Sequence, residues 1–162
     1  MIDQNSLQSR FGSDLKLTEF RGSKRTEVPA SRVFEVLKGL KEFGFDQLAE
    51  LTAVDYLELE GATDRFGVVY CLTNTTDGDR LTVKTFVNDP EPTLASVYGL
   101  WKGADWLERE VYDMFGIRFT GHPDLRRILM PDEFTAFPLR KDYPLKGRGE
   151  RHNFPVITRS ES

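Results

Sequence analysis

A chain of 162 residues has room for one domain with a real core and not for two large ones. Its formal charge of −4 argues against general attraction to nucleic acid or an anionic membrane, and its single cysteine, Cys71, with two histidines leaves neither a disulfide framework nor a plausible set for zinc or an iron–sulfur cluster. No apolar run approaches the ~20 residues that cross a bilayer, and the opening MIDQNSLQSRFG lacks the order of a secretory leader, so the expected setting is cytoplasmic or bound to something that faces the cytoplasm.

In chain order, the first strand signal is DLKLTEFRG, with Leu15, Leu17 and Phe20, and KRTEVPA pairs with it across Gly22-Ser23 as a short hairpin. PASRVFEVLKGLKEFGF predicts a helix with Val33, Phe34, Leu37 and Leu40 on one side, Pro29 in its first turn and Gly44 near its end. QLAELTAVDYLEL mixes helical and alternating signals, but Val54, Tyr56 and Leu57 lean toward strand. RFGVVYCLTN and DRLTVKTFVN form the clearest hairpin, joined by TTDGD. Leu81, Val83, Thr85 and Val87 then share the face that helices cover.

Thr93 to Trp101 reads as a short helix with Leu94, Val97, Tyr98 and Trp101 on one side. A further helix starts at Asp105, which caps it while Glu108 reaches back as in a capping box, and Gly116 closes it. From His122 onward, Pro123, Pro131, Pro138, Pro144 and Pro155 forbid a long helix or central strand. Apolar side chains persist there nonetheless, among them Phe134, Phe137, Leu139 and Tyr143. Residues 121–162 carry 8 Lys and Arg against 6 Asp and Glu, whereas residues 1–120 carry 14 against 20. The expected architecture is therefore α+β: residues 1–120 form a small, mostly antiparallel sheet with helices packed on it, and residues 121–162 form an extended proline-rich tail for binding partners. No internal repeat or low-complexity stretch interrupts this order.

The stretch LEREVYDMFGIRFTGHPDLRRILM, from Leu107 to Met130, concentrates the chain's candidate chemistry. A catalytic reading makes Glu108, Glu110 and Asp113 acid–base groups beside His122, but no nucleophile, phosphate loop or metal set completes such a site. A structural reading has Glu110 and Asp113, on one face with Trp106, pair with Arg109, Arg126 or Arg127, and this is the stronger reading. His122 with Pro123 and Asp124 reads as a turn in which the imidazole caps a carbonyl or pairs with Asp124. Cys71 reads as a small buried hydrophobe, TDGD as a turn lacking calcium ligands, and GRGER as no dinucleotide fingerprint.

Glu108-Arg109-Glu110, Asp113, Met114-Phe115, His122, Arg126 and Ile128, at the spacing they have here, resemble the signature of the ~30 kDa (C-type) subunit of NADH-quinone oxidoreductase, respiratory complex I. LTAVDY, GHPDLRRILMPDEF and PLRKDYPL extend the resemblance over nearly the whole chain, and the fusion to the ~49 kDa (D-type) subunit known in some relatives is not expected here. The resemblance implies an α+β, non-redox subunit without a cofactor of its own, in the peripheral arm of a complex that passes electrons from NADH through FMN and iron–sulfur clusters to quinone, coupled to proton translocation. It further implies a peripheral place on the cytoplasmic side of the inner membrane. The 49 kDa-type subunit is the expected main partner, with the B-type and I-type subunits nearby, and nucleic acid is not among the partners. Phe134, Phe137, Leu139, Arg140, Lys141, Tyr143, Arg148 and Arg151 are the expected partner-binding residues. The rival readings are the equivalent subunit of a related membrane-bound hydrogenase or other quinone-linked dehydrogenase, and a free-standing acid–base enzyme.

Overall fold

Strict alternation decides the centre of the fold. In β4 (Phe66–Thr73) and β5 (Arg80–Val87), Phe66, Val68, Tyr70 and Leu72 face the same way as Leu81, Val83, Thr85 and Val87, and all eight are buried. The computed structural model describes residues 2–12 and 15–149. Its remaining elements are α1 (Gln4–Phe11), β1 (Leu17–Phe20), β2 (Ser23–Glu27), α2 (Val33–Glu42), β3 (Gln47–Asp55), β6 (Thr93–Ala95), α3 (Ala104–Phe115) and β7 (Arg118–Thr120).

The main sheet runs β1-β2-β5-β4-β3, and β6 and β7 form a separate parallel pair. Of the four pairings in the main sheet three are antiparallel; β2 and β5 run parallel, with Thr26 opposite Val83. The sheet is thus mixed within an α+β fold. The predicted β1–β2 and β4–β5 hairpins are present, as is α2, which buries Val33, Val36, Leu37 and Leu40. Pro29 precedes α2 by a turn instead of standing in its first turn, because the helix opens only at Val33. β3 ends at Asp55, so Tyr56 and Leu57 lie in the loop beyond it, where Asp55 accepts the Leu57 N–H at 3.0 Å and turns the chain.

Three further elements differ from expectation. Residues 4–11, which carry no strong apolar period, form α1 because Asp3 accepts the Ser6 N–H at 2.8 Å and Leu7 is wholly buried. Thr93–Trp101 is not a helix: Leu94 pairs beside Phe119 in the β6–β7 ladder, and only one turn follows, closed by Trp101 N–H on the Val97 carbonyl at 2.9 Å. The Val97 N–H is instead taken by the Glu108 carboxylate at 2.6 Å. That same bond removes the predicted capping box of α3, whose N-cap is Gly103 with no side-chain cap; Glu108 points into the protein instead of back along its helix. Gly116 does close α3, in the left-handed conformation at φ 75°.

After β7 no helix or strand forms between residues 121 and 149. This segment is a strap. It runs back over α3 and the end of β3, joined by Leu139 N–H to the Met114 carbonyl at 3.1 Å and by Lys141 N–H to Asp55 at 2.9 Å.

Candidate functional site

α3 is amphipathic in an unusual sense, because the side it turns to the strap carries buried charge. Asp113 is fully buried, and one of its oxygens accepts three successive backbone N–H groups, from Ile128 at 3.0 Å, Leu129 at 2.8 Å and Met130 at 2.8 Å. The other oxygen accepts Arg127 Nη1 at 2.6 Å. Burial pushes the Asp113 carboxyl up, but these four donors outweigh it and hold it below the usual carboxylate range. Arg127 continues the connection, donating to the Ala136 carbonyl at 3.1 Å. One helix turn earlier, Arg109 donates to the carbonyls of Arg126 and Arg127 at 3.2 and 3.1 Å and lies 5.0 Å over the Trp106 ring.

Glu108 faces the body. It is wholly buried and accepts from the Ser96 hydroxyl and the Val97 N–H, both at 2.6 Å. Two donors do not compensate its burial, and the carboxyl is pushed up to about 7. Tyr70, whose buried hydroxyl has no hydrogen-bond partner among the described residues, is raised too, by burial and by the nearby Glu108 charge. His122 Nδ1 accepts the Asp124 N–H at 3.1 Å, which assigns the ring proton to Nε2, 3.2 Å from the Asp105 carbonyl. The imidazole therefore does cap a carbonyl, in a turn, and Glu108 lies 3.9 Å away.

A second lock joins the far end of the strap to the sheet. Asp55, at the buried end of β3, accepts from Arg65 and from the Lys141 N–H; burial raises its carboxyl, and the Lys141, Arg65 and Leu57 donors bring it below the ordinary range. Arg65 also pairs with Asp89 at 2.5 Å and Asp142 at 2.8 Å. Arg140 bonds the Phe115 carbonyl at 2.5 Å and Asp89 at 3.4 Å. Sequence reasoning missed Asp55, Arg65 and Asp89. A signal existed, since Leu51, Ala53 and Asp55 alternate inward along β3 and place an acid where only a paired one is tolerated.

Of the sequence-predicted residues, Glu108, Arg109, Asp113, His122 and Arg127 come together around α3. Glu110 does not: it is exposed, on the solvent side with Trp106, because the boundary of burial passes between Glu110 and Asp113. Among the described residues the Arg126 side chain makes only an exposed pair with Asp124, at 2.9 Å, and Arg126 contributes its carbonyl instead. Phe134, assigned to a partner, is buried at 4% exposure against this chain, with Tyr143 at its edge, ring centroids 5.8 Å apart. Phe137 closes over Gly116, and Arg140 over the rings of Phe66 and Phe137. Phe137 and Arg140 are thus held against the body, at the end of α3 and on the Phe66 ring of β4. Leu139 at 51% and the Lys141 side chain stay exposed; Arg148 lies 5.5 Å over Tyr143. Arg151 lies outside the described residues. Among the described residues no group of three or more His, Cys, Asp or Glu is placed to hold a metal ion.

The body is thus a mixed α+β domain whose charged helix is pinned under its own strap. A family profile described as respiratory-chain NADH dehydrogenase, 30 Kd subunit, matches residues 26–149. The C subunit of NADH-quinone oxidoreductase from Trichlorobacter lovleyi is 47% identical over 155 residues, covering 92% of this chain and 94% of that one. That of Citrifermentans bemidjiense is 46% identical over 143 residues, 87% of each. A trypsin-resistant fragment (1-134) of Nqo5 has a similar structure, with TM-score 0.68 and 35% identity over 75% of this chain and 95% of the fragment. A chain of the membrane-bound sulfane sulfur reductase, an archaeal respiratory membrane complex, shares the fold at TM-score 0.79 and 24% identity, over 96% of this chain and 91% of that one. The chain belongs to the family of the 30 kDa subunit of respiratory-chain NADH dehydrogenase, the C subunit of NADH-quinone oxidoreductase.

Proposed function

We propose that this chain is a non-redox structural and assembly subunit in the peripheral arm of an NADH-quinone oxidoreductase, on the cytoplasmic side of the inner membrane. The complex carries electrons from NADH through FMN and iron–sulfur clusters in other subunits to quinone, coupled to proton translocation. The observation that carries this reading is that the buried charges of the family signature are consumed internally. Asp113 is filled by four donors, and Arg109 is spent on two strap carbonyls. Groups so occupied position a chain segment; an acid–base catalyst needs a free lone pair or proton facing its substrate. No helix of the described residues is long and apolar enough to cross a membrane, which accords with attachment through other subunits.

The 49 kDa-type subunit is the main partner, with the B-type and I-type subunits adjoining. The strap presents Leu139, Lys141 and Arg148 outward to it, while Phe134, Phe137, Arg140 and Tyr143 act indirectly by fixing the strap's path. Affinity purification of the tagged chain from its host, with identification of its companions, tests the reading. The expected companions are these three subunits together with a flavin-binding NADH subunit. Recovery with a nickel-site subunit instead assigns the chain to a hydrogenase. Recovery alone, with turnover on any substrate, overturns the structural role.

A further inference from the structure

We infer that the open face of the five-stranded sheet is a docking surface for an acidic amphipathic helix of a neighbouring subunit; this rests on the reading of the chain as part of a larger assembly. Across the sheet the register sets Glu27, Lys84, Val69 and Thr52 in one outward row, Arg25, Thr82, Cys71 and Glu50 in the next, and Phe86, Gly67 and Val54 in a third. The inward rows are buried, whereas all of these outward residues except Gly67 are half-buried or exposed. An open groove of about 730 Å³ runs along this face, lined by Lys16, Arg25, Tyr56, Val69 and Lys84 among others.

Its floor sets Tyr56, Val69 and Phe86 beside Thr82, and around it the cations Lys16, Arg25, Arg80 and Lys84 outnumber the acids Glu27 and Glu50. Lys84 Nζ rests 4.6 Å from the Tyr56 ring and 4.3 Å from the Phe86 ring, and these three crowd the space over Gly67. Val54 continues the floor at 39% exposure. Arg25 lies over Phe20 at 5.9 Å. No ion pair among the described residues neutralises Lys16, Arg25, Arg80 or Lys84, although the chain as a whole is acidic at −4 and the arginines that hold strap to body, Arg65, Arg109, Arg127 and Arg140, are all paired or bonded. An excess of cations over acids beside the Tyr56, Val69 and Phe86 side chains calls for acids flanking an apolar stripe. A helix supplies that pattern, and covering a sheet's bare face with a helix is the ordinary two-layer solution.

The test uses the full chain within its purified assembly, with photoreactive p-benzoylphenylalanine in place of the exposed Thr52. The expected adduct is to a helical peptide of another subunit that carries several Asp or Glu. Its yield should fall roughly tenfold in Arg25→Glu with Arg80→Glu, and also in salt that shortens the Debye length from about 10 Å to about 3 Å. Thermal melting of the double variant should match the parent, since both arginines are exposed. An adduct to a peptide without acids, to lipid or to a second copy of this chain overturns the inference, as does a yield indifferent to both changes. A chain recovered with its companions but giving no adduct sinks this inference alone; a chain recovered without companions sinks the subunit reading with it.

Discussion

Glu108 and Asp113 stand on the same helix, are both wholly buried, and are displaced in opposite directions. The difference is the number of donors, two against four. It sets opposite pH dependences. The Glu108 value in the fold, about 7, exceeds its ordinary 4.5, so its contribution to stability is fully present below pH 4.5 and is lost as pH rises to about 7. Asp113 lies below its ordinary 3.8, so its contribution is present above that pH and is lost as pH falls through the lowered value. Glu108→Gln should therefore flatten the neutral limb, gaining on the parent by on the order of 3 kcal/mol between pH 4.5 and 7, and leave the acid limb intact. Urea unfolding at a series of pH values measures both limbs; an unchanged neutral slope in the variant would assign that limb to another group. Asp113→Ala orphans Arg127 and three strap N–H groups, and should cost about 3–5 kcal/mol. The same urea titration at pH 7 reads that loss. At this scale the sequence was informative about partners as a class: that Asp113 pairs with one of Arg109, Arg126 or Arg127 follows from their types and from a helix that needs its charge compensated, while the choice of Arg127 comes from the path of the strap. It was uninformative about Glu110, because a modest rotation about the helix axis separates a buried position from an exposed one and composition does not fix that angle.

Element boundaries were legible where a single local rule governed them. The β4–β5 hairpin follows from alternation and a turn-rich link, and the end of α3 from Gly116. Thr93–Trp101 failed because its apolar residues have helical spacing, while its backbone partners, Phe119 in β7 and the Glu108 carboxylate, come from later in the chain. α1 was illegible for the opposite reason: its own sequence is polar, and its stability comes from burying Leu7 and from laying Phe11 against Gly39 of α2. The junction of α3 and strap gives the prediction at this scale. A Cβ on Gly116, at φ 75°, would come within 2.6 Å of the Phe137 ring and 2.9 Å of Arg140 Nη2. Gly116→Ala should therefore cost the left-handed penalty of about 1–2 kcal/mol and lift the strap locally. Hydrogen exchange at the Leu139 amide, which donates to the Met114 carbonyl, should accelerate well beyond that of the β4 and β5 amides. Uniform acceleration everywhere would show a global effect in place of a local one.

For the whole molecule, the question is whether the chain divides at residue 120. Helices and strands end there among the described residues, and the proline pattern marked the change of character. Packing does not end there, however: two buried acids, Asp113 in α3 and Asp55 in β3, are satisfied by N–H groups of the strap, and Phe134 is buried between Tyr143 and Arg127. A carboxylate deprived of these donors stays buried without compensation. Removal of residues 131–162 leaves Asp113 its Arg127, Ile128, Leu129 and Met130 donors but takes the Lys141 N–H from buried Asp55, the Leu139 N–H from the Met114 carbonyl and the buried Phe134, and so should destabilise the body instead of releasing an intact one. Loss of one buried phenylalanine alone costs about 3–5 kcal/mol, which in a domain of this size lowers the melting temperature by roughly 10 °C. Circular dichroism melting of the chain ending at Met130 against the full chain measures this. A second variant, Phe134→Ala in the full chain, separates packing from chain length, and should show about half or more of the truncation's effect. If the truncated chain melts with the parent, residues 131 onward are an appended arm whose contacts with the body carry no stability, and the case for partner contacts through Phe134, Phe137 and Tyr143 themselves is restored.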